Sequence, residues 1–350
     1  MASEHWKRIG IHCLRVALIA MACFGIQGCL FQTVSDNFTT PAPLNANGAT
    51  GTVGIWQVAN AHLAGGGQAP TVGTIDIGIT TPGRLTIIPA NVPPPNSYTN
   101  GWYSDNQGPY VYQTVVGNFI AITNVDVRSA NNPNLAPRGS FNAAGFLIKS
   151  PQSPTAPISS TMASAPAQQN WVMYNIGYQL NSDAREAKFT RPPVAPEDPN
   201  SSRSAIYLDP LPTTLDGSGN VLSLSAKLLV CRVGSELRLF RASSGQWVEE
   251  RSLLAPGGAS QPPNLYLLPP VMSVLPTSYF LSPEGYIRFP LPTTDQHNAL
   301  QVGVMANSWA ASPDNSVGPE TRAEFHYIRF SPTPPSSTDD CASLMPVPND

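Results

Sequence analysis

Residues 102–127, WYSDNQGPYVYQTVVGNFIAITNVDV, hold the pattern that decides the fold class. In the first run Tyr110, Tyr112, Thr114 and Val116 share a face. In the second, Phe119, Ala121, Thr123, Val125 and Val127 share one, with Asn124, Asp126 and Arg128 opposite. A period of two, rich in aromatic and β-branched residues, marks strands with one buried face. Between the runs, Gly117-Asn118 tolerates the positive φ of a tight turn, which predicts a β-hairpin.

Working outward, the same alternation predicts strands at Thr52–Trp56, Thr74–Ile79, Arg84–Ile88, Ala144–Lys149, Trp171–Tyr178, Leu300–Met305 and Arg322–Phe330. Ala184–Phe189 lies among strand signals and is taken as extended. Lys227–Val248 forms a meander that turns at Gly234-Ser235 and again near Ser243–Gln246. The Pro-, Ser- and Ala-rich segment 150–169 and the Pro-rich segment 192–200 are predicted surface loops. Pro-Leu-Pro-Thr-Thr at 210–214 and 290–294 is a repeated turn, with no similarity around it. With 37 Pro, 27 Gly, 12% charged and 41% hydrophobic residues, the chain fits an extracellular, loop-rich β protein with ample core material.

At the N-terminus Lys7, Arg8 and Arg15 precede an apolar run, Val16–Ile26, that ends in Ile26-Gln27-Gly28-Cys29. This resembles the export signal and lipobox of bacterial lipoproteins, in which the thiol of the Cys takes a diacylglycerol. The resemblance implies a signal peptide at 1–28, lipidation at Cys29, a flexible tether at 29–51 and a folded domain at 52–331. A disordered Pro/Ser-rich tail is predicted at 332–350. The expected location is the bacterial cell envelope, anchored to the membrane by lipid, with Leu30 favouring the outer membrane of a diderm host. The alternatives are an unlipidated signal, an uncleaved anchor, or Cys23 as the lipid site. The apolar run is short for a spanning helix, which needs about 20 residues. Asn37-Phe-Thr39 and Asn200-Ser-Ser202 match the glycosylation pattern by coincidence in such a protein.

Several segments, in order, carry a second resemblance: Gly108-Pro109-Tyr-Val-Tyr112, Val116-Gly-Asn-Phe119, Ala144-Gly-Phe-Leu-Ile-Lys149, Asn170-Trp-Val172, Glu186–Thr190, Leu237–Val248, Val302–Ala306 and Arg322–Phe325. Together they are similar to the concanavalin A-like lectin/glucanase jelly-roll superfamily, nearest to "regulation of enolase"-type and β-xylosidase C-terminal-like domains. The resemblance spans about 74–331 and implies an all-β fold, a two-sheet antiparallel jelly-roll sandwich. Asn118 stands where the family usually has Asp, and the inserts at 150–169 and 250–299 are long.

Retaining glucanases of this superfamily carry Glu-x-Asp-x-Glu on one strand, which places carboxylates on a single face. No such run exists here, and Glu249-Glu250, adjacent on a strand, point to opposite sides. His residues at 5, 12, 62, 297 and 326 have no paired metal-ligand spacing, and His326 is expected to lie opposite a shared Phe325/Tyr327 face. No phosphate-cradling glycine loop or hydrolase motif is present, so no catalytic residue, metal or cofactor is expected, and the chain is predicted not to be an enzyme. Net charge is −3 and the basic residues are not clustered, which argues against nucleic-acid binding.

The resemblance implies a lectin-like module, which is expected to bind carbohydrate. Trp102, Tyr103, Asp105 and Asn106 combine aromatic stacking with hydroxyl-binding polar groups, and Asn170 and Trp171 add to them. The competing reading of these aromatics is core or sheet-edge packing. The functional alternatives are a structural or protein-interaction lipoprotein and a glycoside hydrolase-like enzyme. In apolar surroundings Cys231 is expected to be a buried free thiol, with a bridge to Cys341 as the alternative in an oxidising envelope.

Overall fold

The computed structural model describes residues 33–44, 51–53, 55–60, 74–89, 99–100, 109–139, 142–149, 171–179, 182–190, 204–234, 236–250, 299–309 and 320–350. The chain divides into Met1–Thr33 and Val34–Asp350, and the fold below belongs to the second unit. It is a two-sheet antiparallel β-sandwich. One sheet runs β1 (Ala42–Pro43), β4 (Thr74–Ile77), β5 (Leu85–Ile88), β17 (Thr321–Phe330), β8 (Phe119–Ser129), β13 (Leu224–Val233), β14 (Glu236–Ser243), β15 (Gln246–Glu249). The other runs β12 (Ser204–Pro210), β11 (Ser182–Thr190), β10 (Trp171–Gln179), β9 (Asn142–Lys149), β16 (Ala299–Trp309), β7 (Pro109–Val116), β3 (Trp56–Asn60), β2 (Gly51–Val53). Its ninth strand, β6 (Thr99–Asn100), pairs with β16.

The inward faces meet in one core. Val111, Phe146, Ile148, Ile176, Val302 and Val304 come from the nine-stranded sheet. Ile87, Phe119, Ala121, Val125, Leu228, Val230, Phe325 and Ile328 come from the eight-stranded one. A buried polar seam also joins the sheets. Glu250 accepts hydrogen bonds from Arg185 Nε at 2.7 Å, Arg241 Nη1 at 2.8 Å and the Tyr174 hydroxyl at 2.6 Å. Glu249 pairs instead with Arg238 at 2.9 Å, so the adjacent carboxylates have separate partners.

Strands β7 and β8 do not form the expected hairpin. β7 pairs with β16 and β3 in one sheet, and β8 pairs with β17 and β13 in the other. Gly117, at φ +78°, turns the chain from sheet to sheet. The physical reason is that both strands bury both faces: Val111 and Val115 face the inter-sheet core, while Tyr110 and Tyr112 are buried on the other side. Such a strand needs a neighbour on each edge and material on each face. The meander, by contrast, folds as two hairpins, β13–β14 and β14–β15.

A register shift in β17 between Phe325 and Tyr327 places Phe325 in the inter-sheet core and Tyr327 on the opposite face, so the expected common Phe325/Tyr327 face does not exist. This is what a β-bulge does to the side chains after it. His326 Nε2 lies 2.9 Å from Asp126 Oδ2.

Part of the predicted tether belongs to the sandwich. Asp36 bridges Ile328, Phe38 and Leu44 are fully buried, and Trp56 Nε1 donates to Asp36 Oδ2 at 2.9 Å. The predicted disordered tail is likewise ordered. Its one helical turn, Asp340–Ser343, carries Cys341, which is bonded to Cys231 with a Cα–Cα distance of 5.6 Å across 110 residues of sequence. The free thiol expected at Cys231 is therefore a disulfide. Trp247 Nε1 donates to Met345 O at 2.6 Å and Lys227 Nζ to Pro348 O at 2.6 Å. Composition alone misled for this tail because its order comes from long-range ties that a local count of Pro and Ser does not see.

Candidate functional site

The second face of the nine-stranded sheet, away from the inter-sheet core, holds the strongest concentration of chemistry among the described residues. Alternation brings Tyr110 and Tyr112 of β7, Leu147 and Lys149 of β9, Met173 and Asn175 of β10, Glu186 of β11, and Gln301, Met305 and Asn307 of β16 to that side. All ten are buried. Tyr110, Tyr112, Leu147, Met173 and Met305 form their own apolar cluster, separate from the core between the sheets.

The tyrosine rings stack with centroids 4.7 Å apart and planes inclined by 13°. The Tyr110 hydroxyl donates to Leu147 O at 2.9 Å, reaching across β16 to β9. Gly303 of β16 lies between Tyr112 and Leu147 in the sheet. A Cβ there would lie 2.0 Å from Val111 O and 2.5 Å from Tyr112 Cα. Gly145 is equally closed to a side chain, since its Cβ would meet Tyr174 O at 2.3 Å. Bare backbone at these two positions gives the rings and the amide side chains room to lie close to the sheet.

Lys149 Nζ stands 5.6 Å from the centroid of the Tyr110 ring, a cation–π distance, and the residue is 1% exposed. Burial lowers its pKa to about 7. Burial also raises Tyr112 to about 12, and raises Tyr110 well above its ordinary value with a further push from Tyr112. The amide groups of Asn175 and Asn307 point their nitrogens at Met173 Sδ, at 3.9 and 3.7 Å. Asn175 Oδ1 and Gln301 Oε1 are buried and have no hydrogen-bond partner among the described residues. A buried amide oxygen without a donor is costly, and in native proteins it is matched by a bound group or by water.

Of the residues predicted from sequence, Trp102, Tyr103, Asp105, Asn106, Asn170 and the lipidation candidate Cys29 lie outside the described residues. Trp171 begins β10, and its backbone pairs with Lys149. Its side chain is not among those described. Sequence reasoning missed Lys149, Asn175, Gln301 and Asn307. The available signal was a polar residue at even spacing within strands that are otherwise apolar on both faces, as in 171–178, WVMYNIGY, and 299–309, ALQVGVMANSW.

No protein-family model matches the chain, and no curated protein does. Solved structures are weakly similar at low identity. The GH43 protein BlXynB from Bacillus licheniformis is 14% identical with a TM-score of 0.43, over 87% of this chain and 40% of that one. A glycoside hydrolase family protein from Mycobacterium thermorestibile is 10% identical, TM-score 0.39, over 85% and 100%. LamAcat from Zobellia galactanivorans is 10% identical, TM-score 0.38, over 86% and 97%. The match thus spans about 40% of the length of the first of these. Against the expectation that the chain is not an enzyme, the structures it is similar to include one named as a glycoside hydrolase family protein, and that expectation does not stand.

Proposed function

We propose that this chain is an exported envelope protein, lipid-anchored through Cys29, whose sandwich is of the concanavalin A-like lectin/glucanase type. It engages carbohydrate on the second face of the nine-stranded sheet. The observation that carries the proposal is the pairing of stacked tyrosines with buried amide oxygens that lack donors. Sugars present both complements at once: C–H faces that pack on aromatic rings, and hydroxyl donors that satisfy amide oxygens. The Cys231–Cys341 disulfide supports an oxidising compartment. Trp102, Tyr103, Asp105 and Asn106 and the Asn170-Trp171 pair belong to the same reading as further sugar contacts.

The test uses the full chain in detergent against a panel of insoluble and soluble polysaccharides, with Asn175→Leu and Gln301→Met as variants. Each replaces an amide with an apolar group of similar size and so removes a buried acceptor that lacks a donor. The expected result is unchanged or higher thermal stability with at least tenfold weaker binding. Variants that bind as the wild type would remove the amide oxygens from the proposal, and a panel with no binder would remove carbohydrate. Released reducing ends in the same incubations would extend binding to hydrolysis. Palmitate labelling that survives Cys29→Ser would exclude Cys29 as the lipid site.

A further inference from the structure

The other sheet buries an apolar patch on its second face, and the chain's own C-terminus covers that patch. Ile120 and Ile122 of β8, Leu229 and Cys231 of β13, Phe240 of β14 and Tyr327 of β17 cluster there with Cys341 and Met345, and Val233 and Trp247 pack against them. A helix of only one turn, without a side-chain cap, has no stability of its own. The tail is held by ties to the sheet. The disulfide is one, and Trp247 to Met345 O and Lys227 to Pro348 O are others.

Asn118 supplies a further tie, at the turn between the sheets. Its Nδ2 donates to Pro335 O at 2.8 Å while its Oδ1 accepts from Gly234 N at 2.7 Å. An aspartate could accept from Gly234 but has no hydrogen to give Pro335, so the residue at 118 has to be an amide for both bonds to form.

We infer that residues 331–350 are a redox-locked cap: the Cys231–Cys341 bond and the Asn118 clamp hold the tail on an apolar face of the eight-stranded sheet, and opening the bond releases the tail and bares that face. Closing the bond removes two electrons and two protons from the thiols. They pass to a thiol–disulfide oxidant, whose own disulfide becomes a dithiol. The cap is therefore completed only where such an oxidant operates. In a reducing compartment the sandwich carries a loose tail and an uncovered patch of Ile120, Ile122, Leu229, Phe240 and Tyr327.

Hydrogen exchange of the full chain, read peptide by peptide with and without a phosphine reductant and thiol alkylation, tests the cap. After reduction, and equally in Cys341→Ser, exchange in 331–350 should rise at least tenfold while β9, β10 and β16 keep their protection. Binding of a hydrophobic dye should rise in parallel. In the Cys341→Ser background, Asn118→Asp should raise tail exchange several-fold more. Full protection of the tail after complete reduction would overturn the lock. Loss of protection in the tail and both sheets together would also overturn it, since the bond would then staple the whole fold rather than a cap. An unchanged tail in the Asn118→Asp pair would remove the clamp.

Discussion

The two sheets treat their outward faces in opposite ways, although both bury parts of them. On the eight-stranded sheet the part of the second face under the tail is largely apolar, and the tail closes it with a disulfide and backbone acceptors at Pro335, Met345 and Pro348. Elsewhere on that sheet Asp126, Arg128, Arg322 and Glu324 form ion pairs. On the nine-stranded sheet the second face mixes tyrosine and methionine with a buried lysine and amide oxygens that have no donor among the described residues. An apolar face is completed by covering it, because burial alone stabilises it. A face with buried polar atoms is completed only by hydrogen-bonding groups of the right sign. The first face therefore reads as structure, and the second is the one on which we propose that carbohydrate is received.

The largest effect expected from this contrast is on the apolar side. Leu229→Ala deletes a fully buried side chain beneath the tail and should cost about 2–5 kcal/mol in denaturant unfolding. A loss below 1 kcal/mol would mean that the tail adds little packing. Gly303→Ala probes the polar side and should cost about 1–3 kcal/mol, because the new Cβ meets backbone of β7 that cannot step aside. Normal stability with a displaced Tyr110–Tyr112 pair, seen as altered tyrosine fluorescence, would show that the pair rather than the sheet yields.

The third expectation is a pH dependence with a definite sign. Burial lowers Lys149 from its ordinary 10.5 to about 7, so the unfolded chain holds this proton over a pH range in which the folded chain does not. Stability of the wild type relative to Lys149→Met should be lowest and level below pH 7. It should then climb towards pH 10.5, by about 1.4 kcal/mol per pH unit at its steepest. A difference that stays constant across the window would show that Lys149 keeps an ordinary pKa in the fold.

Much of the architecture is legible in the alternation. The β8 set Phe119, Ala121, Val125 and Val127 faces the inter-sheet core as the pattern requires, and the Lys227–Val248 meander turns where Gly234 and Ser243–Gln246 allow it. The site was less legible. Aromatic and polar residues clustered in sequence, as at 102–106, announce themselves, whereas Lys149 and Gln301 sit in apolar strands. Their importance appears only when antiparallel pairing sets them side by side.

The sequence by itself determined an all-β chain, most of its strand positions and the inward side of β8, because side-chain alternation is a local property of extended backbone. It did not determine β12 or the division of 51–60 into β2 and β3. Only the tertiary structure decided that Gly117-Asn118 joins two sheets instead of closing a hairpin. Alternation says which way a residue points but not which strand lies beside it, and β7 and β8 bury both their sides. It also decided that the Pro/Ser-rich tail is ordered, since its main tie links residues 110 positions apart. A bond over that distance leaves no trace in local composition.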